Sequence, residues 1–399
     1  MNIAIIGAGP AGAQLAYLLS RRGADVLLFD ARDAWEKPCG GGITPRALRD
    51  YDFLAEAATP RRMVSAVRLV SAQGREVTIQ PRREFAIYAR ADLDRLMRRR
   101  AVEAGAKLIQ SRVERLDRSG AGWELQTARG ESFTADFIVG ADGATSATRR
   151  LLGIRYPQQD FAYAVGWHMK PPAEPAAGWP DPHSTGDPAR VDIKYLKDYC
   201  GYLWMFPRAD HLSYGIAAKN LEAKPQQLKE LLLDFIAIEN PSLAQELRSA
   251  NHHSTPRATF YAAMLPALEV ESWDRVKACD AGQGWALIGD AAGFVDPITG
   301  EGIHYAMKSA DLLAEALEGD LAHYDEMWRA EFGFEMRRAA HLLRRFYRGS
   351  FAGAPFTERL VQIARFHRGV RETLRDLLAA EQSYLSLKPQ LLKRAVRLV

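Results

Sequence analysis

Four consecutive apolar residues, 3–6, lead into the turn Gly7-Ala8-Gly9-Pro10-Ala11-Gly12. A largely apolar stretch at 13–19 follows, and a second apolar run at 25–29 stops on Asp30. Short unbroken apolar runs mark strands covered on both faces, and the longer stretch between them marks a helix laid against them. The first thirty residues therefore predict strand, tight turn, helix and strand. Further along, the apolar positions predict strands at 64–70 and 77–80, a helix at 91–104, and strands at 107–116, 123–127 and 133–139. Strands at 161–169, 191–196, 202–206, 212–218 and 258–265 surround a helix at 228–238, and a short apolar strand at 285–288 returns to the first type. From 303 onward the pattern is mostly helical. The Pro/Gly-rich segment 171–188 breaks every period and reads as an exposed loop.

Two kinds of segment thus alternate, which predicts an α/β protein of interleaved domains. One Rossmann-like domain is expected from 1–60, 90–155 and 280–320. A β-sheet domain is expected from 61–89 and 156–279, and a helical region from 321–399.

The opening turn sits where a dinucleotide-binding βαβ unit places its glycines. Gly7 permits the tight turn, Gly9 lets backbone approach a pyrophosphate, and Gly12, followed by Ala13, lets helix and strand pack closely. The helix N-terminus then turns free N–H groups and partial positive charge toward the phosphates. Asp30, 23 residues after Gly7, can accept hydrogen bonds from an adenosine ribose.

Composition narrows the class. The 399 residues are 47% hydrophobic and 26% charged, an ordinary globular balance for two or three units. The three cysteines, Cys39, Cys200 and Cys279, have no zinc spacing and make no disulfide framework. No metal is expected, and a reducing cytoplasm fits best. The first strand begins at about Asn2, which leaves no room for a signal peptide. Residues 3–19 are apolar enough to resemble a membrane span, but three glycines, Pro10 and Gln14 favour the glycine turn.

The net charge of +4 hides an asymmetry. Residues 341–399 hold twelve Lys/Arg and four Asp/Glu, a balance of +8, so the remainder carries −4. Apolar residues interleave with those bases. This describes a solvated face on packed helices, a surface on anionic lipid at the inner side of a membrane, or an entrance for an anionic substrate. No recognition motif and no basic-aromatic stripe point to nucleic acid.

Two later segments carry ligand-type glycines. Val139-Gly140-Ala141-Asp142-Gly143 follows a predicted strand. Ile288-Gly289-Asp290 ends another, and Pro297-Ile298-Thr299-Gly300-Glu301-Gly302-Ile303 enters a helix. A carboxylate at Asp290 can accept from ribityl hydroxyls. A helix beginning near Gly302 can stabilise an anion such as the pyrimidine side of a reduced flavin.

With the Gly-x-Gly-x-x-Gly turn, the Asp-Gly segment and the Gly-Asp segment in this order, residues 1 to about 320 resemble the FAD fold of the para-hydroxybenzoate hydroxylase superfamily. Lys37-Pro38-Cys39-Gly40-Gly41-Gly42 and Tyr202-x-Trp204-x-Phe206-Pro207 are similar to segments of its geranylgeranyl reductase branch. The branch pattern has a proline three residues before the tyrosine, where this chain has Tyr199. The resemblance implies FAD contacts from Gly7, Gly9, Gly12, Ala13, Asp30 and Arg32, from Cys39, Gly40, Gly42, Arg90 and Val113, and from Asp142, Asp290, Gly300, Gly302 and Ile303. It implies saturation of isolated prenyl double bonds by hydride from flavin N5 and a proton.

Tyr202, Trp204 and Phe206 alternate along a strand and share one face, which makes an apolar wall suited to a prenyl chain. Cys39 is a candidate catalyst, and with Tyr202 and a flavin-bound water it is one of three open proton donors. NADPH, reduced ferredoxin or a quinol can supply the electrons. A flavin monooxygenase acting on an apolar or aromatic substrate, and a non-catalytic flavoprotein or prenyl-lipid binder, are the alternative readings. A halogenase fits less well, because Tyr202 stands where its first tryptophan would be.

Overall fold

The computed structural model describes residues 1–55, 58–170, 189–219, 224–250, 254–351 and 353–396. The expected loop at 171–188 lies outside them. The chain forms two compact units, each assembled from three separate stretches.

The first unit comprises Met1–Glu36, Arg90–Asp160 and Leu265–Ala340. Its six-stranded sheet runs, in spatial order, Cys279–Asp280, Trp285–Leu287, Phe137–Gly140, Asn2–Ile6, Asp25–Phe29 and Lys107–Ile109. All neighbours are parallel except the antiparallel edge pair at Cys279–Asp280. Ile3 lies between Phe137 and Val26, and Ile5 between Val139 and Leu28. Ile3, Ile5 and Leu28 are wholly buried, as strands covered on both faces require, and so is Leu15 on the helix between them. Helix Pro10–Arg21 packs against helices Ile303–Glu318 and Arg90–Glu103. Gln14 on it donates to Asp311 at 2.9 Å.

Two expected strands are each divided between sheets. Residues 107–116 contain Lys107–Ile109 in the parallel sheet and Val113–Ser119 in a three-stranded antiparallel sheet. Residues 133–139 likewise contain Ser132–Ala135 of the antiparallel sheet and Phe137–Gly140 of the parallel one. Asp136 makes the second step. Its N–H donates to the Asn2 carbonyl at 2.9 Å, and its carboxylate accepts from the Asn2 N–H at 2.7 Å. Hydropathy is continuous across the step, but the hydrogen-bond partners change there.

The second unit comprises Lys37–Ala89, Phe161–Met264 and His341–Val399. Its seven-stranded sheet runs Ala258–Pro266, Phe161–Met169, Leu212–Lys219, Gly201–Pro207, Arg190–Tyr195, Ala66–Val70 and Glu76–Ile79. Helices Pro225–Glu239 and Pro241–Ser249 bury Leu228, Leu232, Ile236 and Leu247 with Trp167, Leu203 and Ile216 from the sheet. A small sheet joins Gly42–Ile43, Phe85–Tyr88 and Arg61–Val64, so the expected strand at 64–70 is also two strands.

The unit boundaries depart from those expected. Residues 37–60 belong with the second unit, residues 156–160 and 265–279 with the first, and the C-terminal region divides after Ala340. Turn and helix content alone does not say which core a helix faces, because that is a property of its packing.

Candidate functional site

The three glycine segments of the first unit converge at the carboxyl ends of its parallel strands. Gly7 has φ +109°, and a Cβ there would lie 2.3 Å from the Ala141 carbonyl oxygen. A Cβ on Gly12 would lie 1.9 Å from the Gly7 carbonyl oxygen, and one on Gly289 would meet Ala11 at 2.9 Å. These are contacts that only glycine tolerates. Gly9 caps helix Pro10–Arg21 and, lacking a side chain, offers its first turn no cap hydrogen bond. The Ala13 N–H is used within the helix, donating to Gly9 at 2.9 Å.

Asp30 ends the second strand as expected, and an arginine absent from the sequence-based set holds it. Asp30 Oδ2 accepts from the Ala8 N–H and from Arg98 Nη2, both at 2.9 Å, and Oδ1 accepts from the Arg32 N–H at 3.0 Å. Arg98 also donates through Nε to the Ala8 carbonyl at 2.9 Å and through Nη1 to the Arg32 carbonyl at 2.7 Å. One buried guanidinium thus ties the glycine turn to the acid and to the loop after it. Its only sequence signal is a basic residue on the inner face of an otherwise charged helix. The exposed Arg32 side chain lies 4.7 Å from the Trp35 ring centroid.

Arg90 is buried and pairs with Asp94 at 3.0 Å, while its N–H donates to Glu36 at 3.0 Å. Val113 is buried at the start of its strand, opposite Thr127. Asp142 accepts from the Thr148 N–H at 2.9 Å, from the Thr148 hydroxyl at 3.1 Å and from the Ser146 hydroxyl. It thereby anchors the start of the short helix Ala147–Leu151. Arg149 donates to the carbonyls of Ala291 at 2.7 Å and Ala144 at 2.9 Å, linking the Asp142 and Asp290 segments.

Around Asp290 the chain turns tightly, with Gly289 at φ +57° and Gly300 at φ +71°. A Cβ on Gly302 would lie 3.3 Å from Asp290 Oδ1. Gly302 caps helix Ile303–Glu318 without a side chain. One donor of this first turn is taken: Glu301 Oε1 accepts from the His304 N–H at 2.9 Å. Burial, reinforced by Asp296 and Asp290, pushes the Glu301 carboxyl up to about 7, against hydrogen bonds from the His304 and Ile303 N–H groups. Glu301 was visible in the Gly-Glu-Gly run, but its raised proton affinity comes from surroundings assembled by the fold.

In the second unit the two segments most specific to the branch meet. A Cβ on Gly40 would lie 2.7 Å from the Phe206 ring, and one on Gly42 would lie 3.2 Å from it. Gly41, at φ +78°, passes so close to Tyr88 that a Cβ would lie 2.1 Å from its carbonyl oxygen. The Gly41 N–H donates to Cys39 Sγ at 3.3 Å, which orients the half-buried thiol.

The Cys39 carbonyl accepts from Arg208 Nη2 and from the Ser213 hydroxyl, the latter at 3.3 Å. Arg208 is fully buried, and desolvation lowers its pKa to about 10, which still leaves it charged at neutral pH. Trp204 Nε1 donates to Ser213 Oγ at 3.4 Å. The Tyr202 and Trp204 ring centroids are 6.0 Å apart, with Tyr202 and Phe206 half-buried and Trp204 buried. Beneath lies His168, 4.4 Å from the Tyr261 ring and 5.4 Å from the His211 ring. Burial, then His211, pushes its pKa down to about 3, so it is neutral at physiological pH. Arg208, Ser213, Tyr261 and the histidine pair were not legible in the sequence, since no spacing links them to Cys39.

A parallel sheet with glycine turns at its carboxyl edge, an acid after the second strand and a Gly-Asp segment leading to a helix define an FAD-dependent oxidoreductase fold. The glycine turns, whose backbone packs too closely for a Cβ, and the helix start that Gly9 leaves without a side-chain cap fit that cofactor. Residues 1–177 match the FAD binding domain family. The chain is 30% identical to a geranylgeranyl diphosphate reductase of Rhodobacter capsulatus over 78% of this chain and 73% of the relative. It is also 30% identical to a menaquinone reductase of Mycobacterium tuberculosis, over 90% and 87% respectively. A solved geranylgeranyl bacteriochlorophyll reductase-like protein of Thermoplasma acidophilum superposes with a TM-score of 0.73 at 20% identity, covering 98% of each chain. A flavin-dependent brominase superposes at 0.70 and 19% identity over all of both chains, so the fold is shared across chemistries. The chain belongs to the geranylgeranyl reductase family of FAD-dependent oxidoreductases.

Proposed function

We propose that this protein saturates isolated carbon–carbon double bonds of a prenyl chain. The observation that carries the reading is the seating of the Cys39–Gly42 loop on Phe206 of the aromatic strand. It rests also on relatives named as reductases of geranylgeranyl diphosphate and menaquinone.

Bound FAD supplies the hydride, and NADPH, reduced ferredoxin or a quinol replenishes it. Gly7, Gly9 and Gly12 would hold the pyrophosphate against the start of helix Pro10–Arg21, with Asp30 at the ribose. Ala13 and Arg32 flank these groups, and Arg90 and Val113 would bound the adenosine side. Asp142 and Asp290 would border the ribityl chain. Gly300, Gly302 and Ile303 would face the flavin pyrimidine, and Cys39, Gly40 and Gly42 its ring. Tyr202, Trp204 and Phe206 would line the prenyl path, orienting the alkene and excluding water. An unactivated alkene is a poor hydride acceptor, so protonation toward a tertiary cation accompanies or precedes the transfer. Cys39 Sγ is the candidate donor of that proton among the loop residues.

No helix of the described residues is long and apolar enough to cross a membrane. A cytoplasmic protein that meets its lipid-borne substrate at the inner membrane surface is consistent with this. The test is anaerobic: reduce the purified flavoprotein, add polyprenyl compounds and measure mass. Gains of two hydrogens per double bond support the reading. Substrate-dependent oxygen consumption with oxygen incorporation would instead select a monooxygenase. Binding without flavin reoxidation would select a non-catalytic prenyl-lipid binder.

A further inference from the structure

In the second unit, helix Phe356–Phe366 and the hairpin of Ser350–Phe351 with Ala354–Pro355 frame a groove of about 490 Å³. Phe351, Ile363 and Phe366 line it together with Arg359, Gln362 and His367. Phe366 is 82% exposed and Phe351 55%, a costly arrangement for two large rings at one groove unless something covers them.

The surroundings say what covers them. Arg365 stacks on Phe366 at 5.6 Å from the ring centroid, and the Arg368 side chain is 86% exposed. Residues 341–399 hold twelve cations against four acids, and each acid already has an arginine: Glu358 has Arg75, Glu372 has Arg368, Asp376 has Arg394, and Glu381 has Arg49. Glu358 is buried, so its carboxylate adds nothing to the outer face. The region therefore presents aromatic rings in a field of net positive charge, the combination that an anionic lipid interface satisfies.

We propose that this face docks on an anionic phospholipid bilayer, with Phe351 and Phe366 entering the boundary between headgroups and acyl chains and with Arg359, Arg365 and Arg368 facing lipid phosphates. The inference deepens the membrane-side placement proposed above but does not depend on the reaction.

The test is sedimentation of the full-length, FAD-loaded protein with vesicles of phosphatidylglycerol and phosphatidylethanolamine, and with vesicles of phosphatidylcholine alone. Binding is expected to the anionic vesicles and to weaken in high salt. The double variant Phe351→Ser/Phe366→Ser should bind about 100-fold more weakly, about tenfold for each ring removed from the interface. Arg365→Gln/Arg368→Gln should lose about fivefold per arginine and flatten the salt dependence. Retained flavin absorbance checks that each variant is folded.

Equal binding to neutral vesicles, or parent-like binding by the phenylalanine variant, overturns the proposal. So does a concentration-dependent dimer that the same variant abolishes, since the face would then serve a second copy of the chain. The reductase reading is scored separately with detergent-dispersed substrate. Saturation without vesicle binding removes this inference alone, and vesicle binding without saturation removes the reductase reading alone.

Discussion

Replacing Arg98 with alanine tests whether the glycine turn is held by its own backbone or by a side chain from a distant helix. Arg98 donates to Asp30 at 2.9 Å, to the Ala8 carbonyl at 2.9 Å and to the Arg32 carbonyl at 2.7 Å. The residue is 4% exposed and the Asp30 side chain 18%. Removing one partner of a buried ion pair costs about 3–5 kcal/mol. Asp30 keeps the N–H groups of Ala8 and Arg32, which places the cost near the lower end, about 3 kcal/mol. Because the lost bonds all end on the turn or its flanks, FAD affinity should fall as well, by about 100-fold. Arg98→Lys should do less harm, since an ammonium can answer Asp30 but cannot span both carbonyls as the planar fork does. Urea unfolding of the apoprotein gives the stability change, and quenching of FAD fluorescence on titration gives the affinity. An Arg98→Ala protein that unfolds within about 0.5 kcal/mol of the parent and binds FAD within about threefold would refute the reasoning, because surface substitutions do no more than that.

Three further outcomes are expected. Glu301, with a folded-state pKa of about 7 against an ordinary 4.5, keeps a proton that the unfolded chain releases, so its stability contribution is lost as pH rises from 4.5 through 7, by up to about 3 kcal/mol. Glu301→Gln should remove that loss, and parallel stability-versus-pH curves for the two apoproteins would sink the assignment. Gly12→Ala, whose methyl would overlap the Gly7 carbonyl at 1.9 Å, should yield protein that neither retains FAD on purification nor recovers it on incubation, which absorbance at flavin wavelengths reads directly. Phe206→Ala removes the ring under Gly40 and should raise the prenyl-substrate KM at least about tenfold, roughly the worth of one large apolar contact; an unchanged KM would remove the ring from the substrate path.

The residue pattern alone determined the elements that carry the cofactor reading. Buried strands such as 3–6 and 25–29 announce themselves by unbroken apolar runs, and the intervening glycines are needed at Gly7 and Gly12 for reasons of local geometry. The aromatic strand was equally legible, because a period of two places Tyr202, Trp204 and Phe206 on one face whatever surrounds them.

Tertiary structure alone decided which distant groups meet. Residues 133–139 read as one strand because hydropathy does not record that Asp136 switches the chain from one sheet to another. Arg98 and Arg208 were indistinguishable from surface cations until the fold buried them against the carbonyls they hold. Glu301 acquired its high proton affinity from burial and from Asp296 and Asp290, which the 289–303 turn gathers around it. Local structure follows from short-range sterics and periodicity, which a sequence writes out. Electrostatics and side-chain tethering depend on distances across the fold, which exist only once the chain has closed on itself.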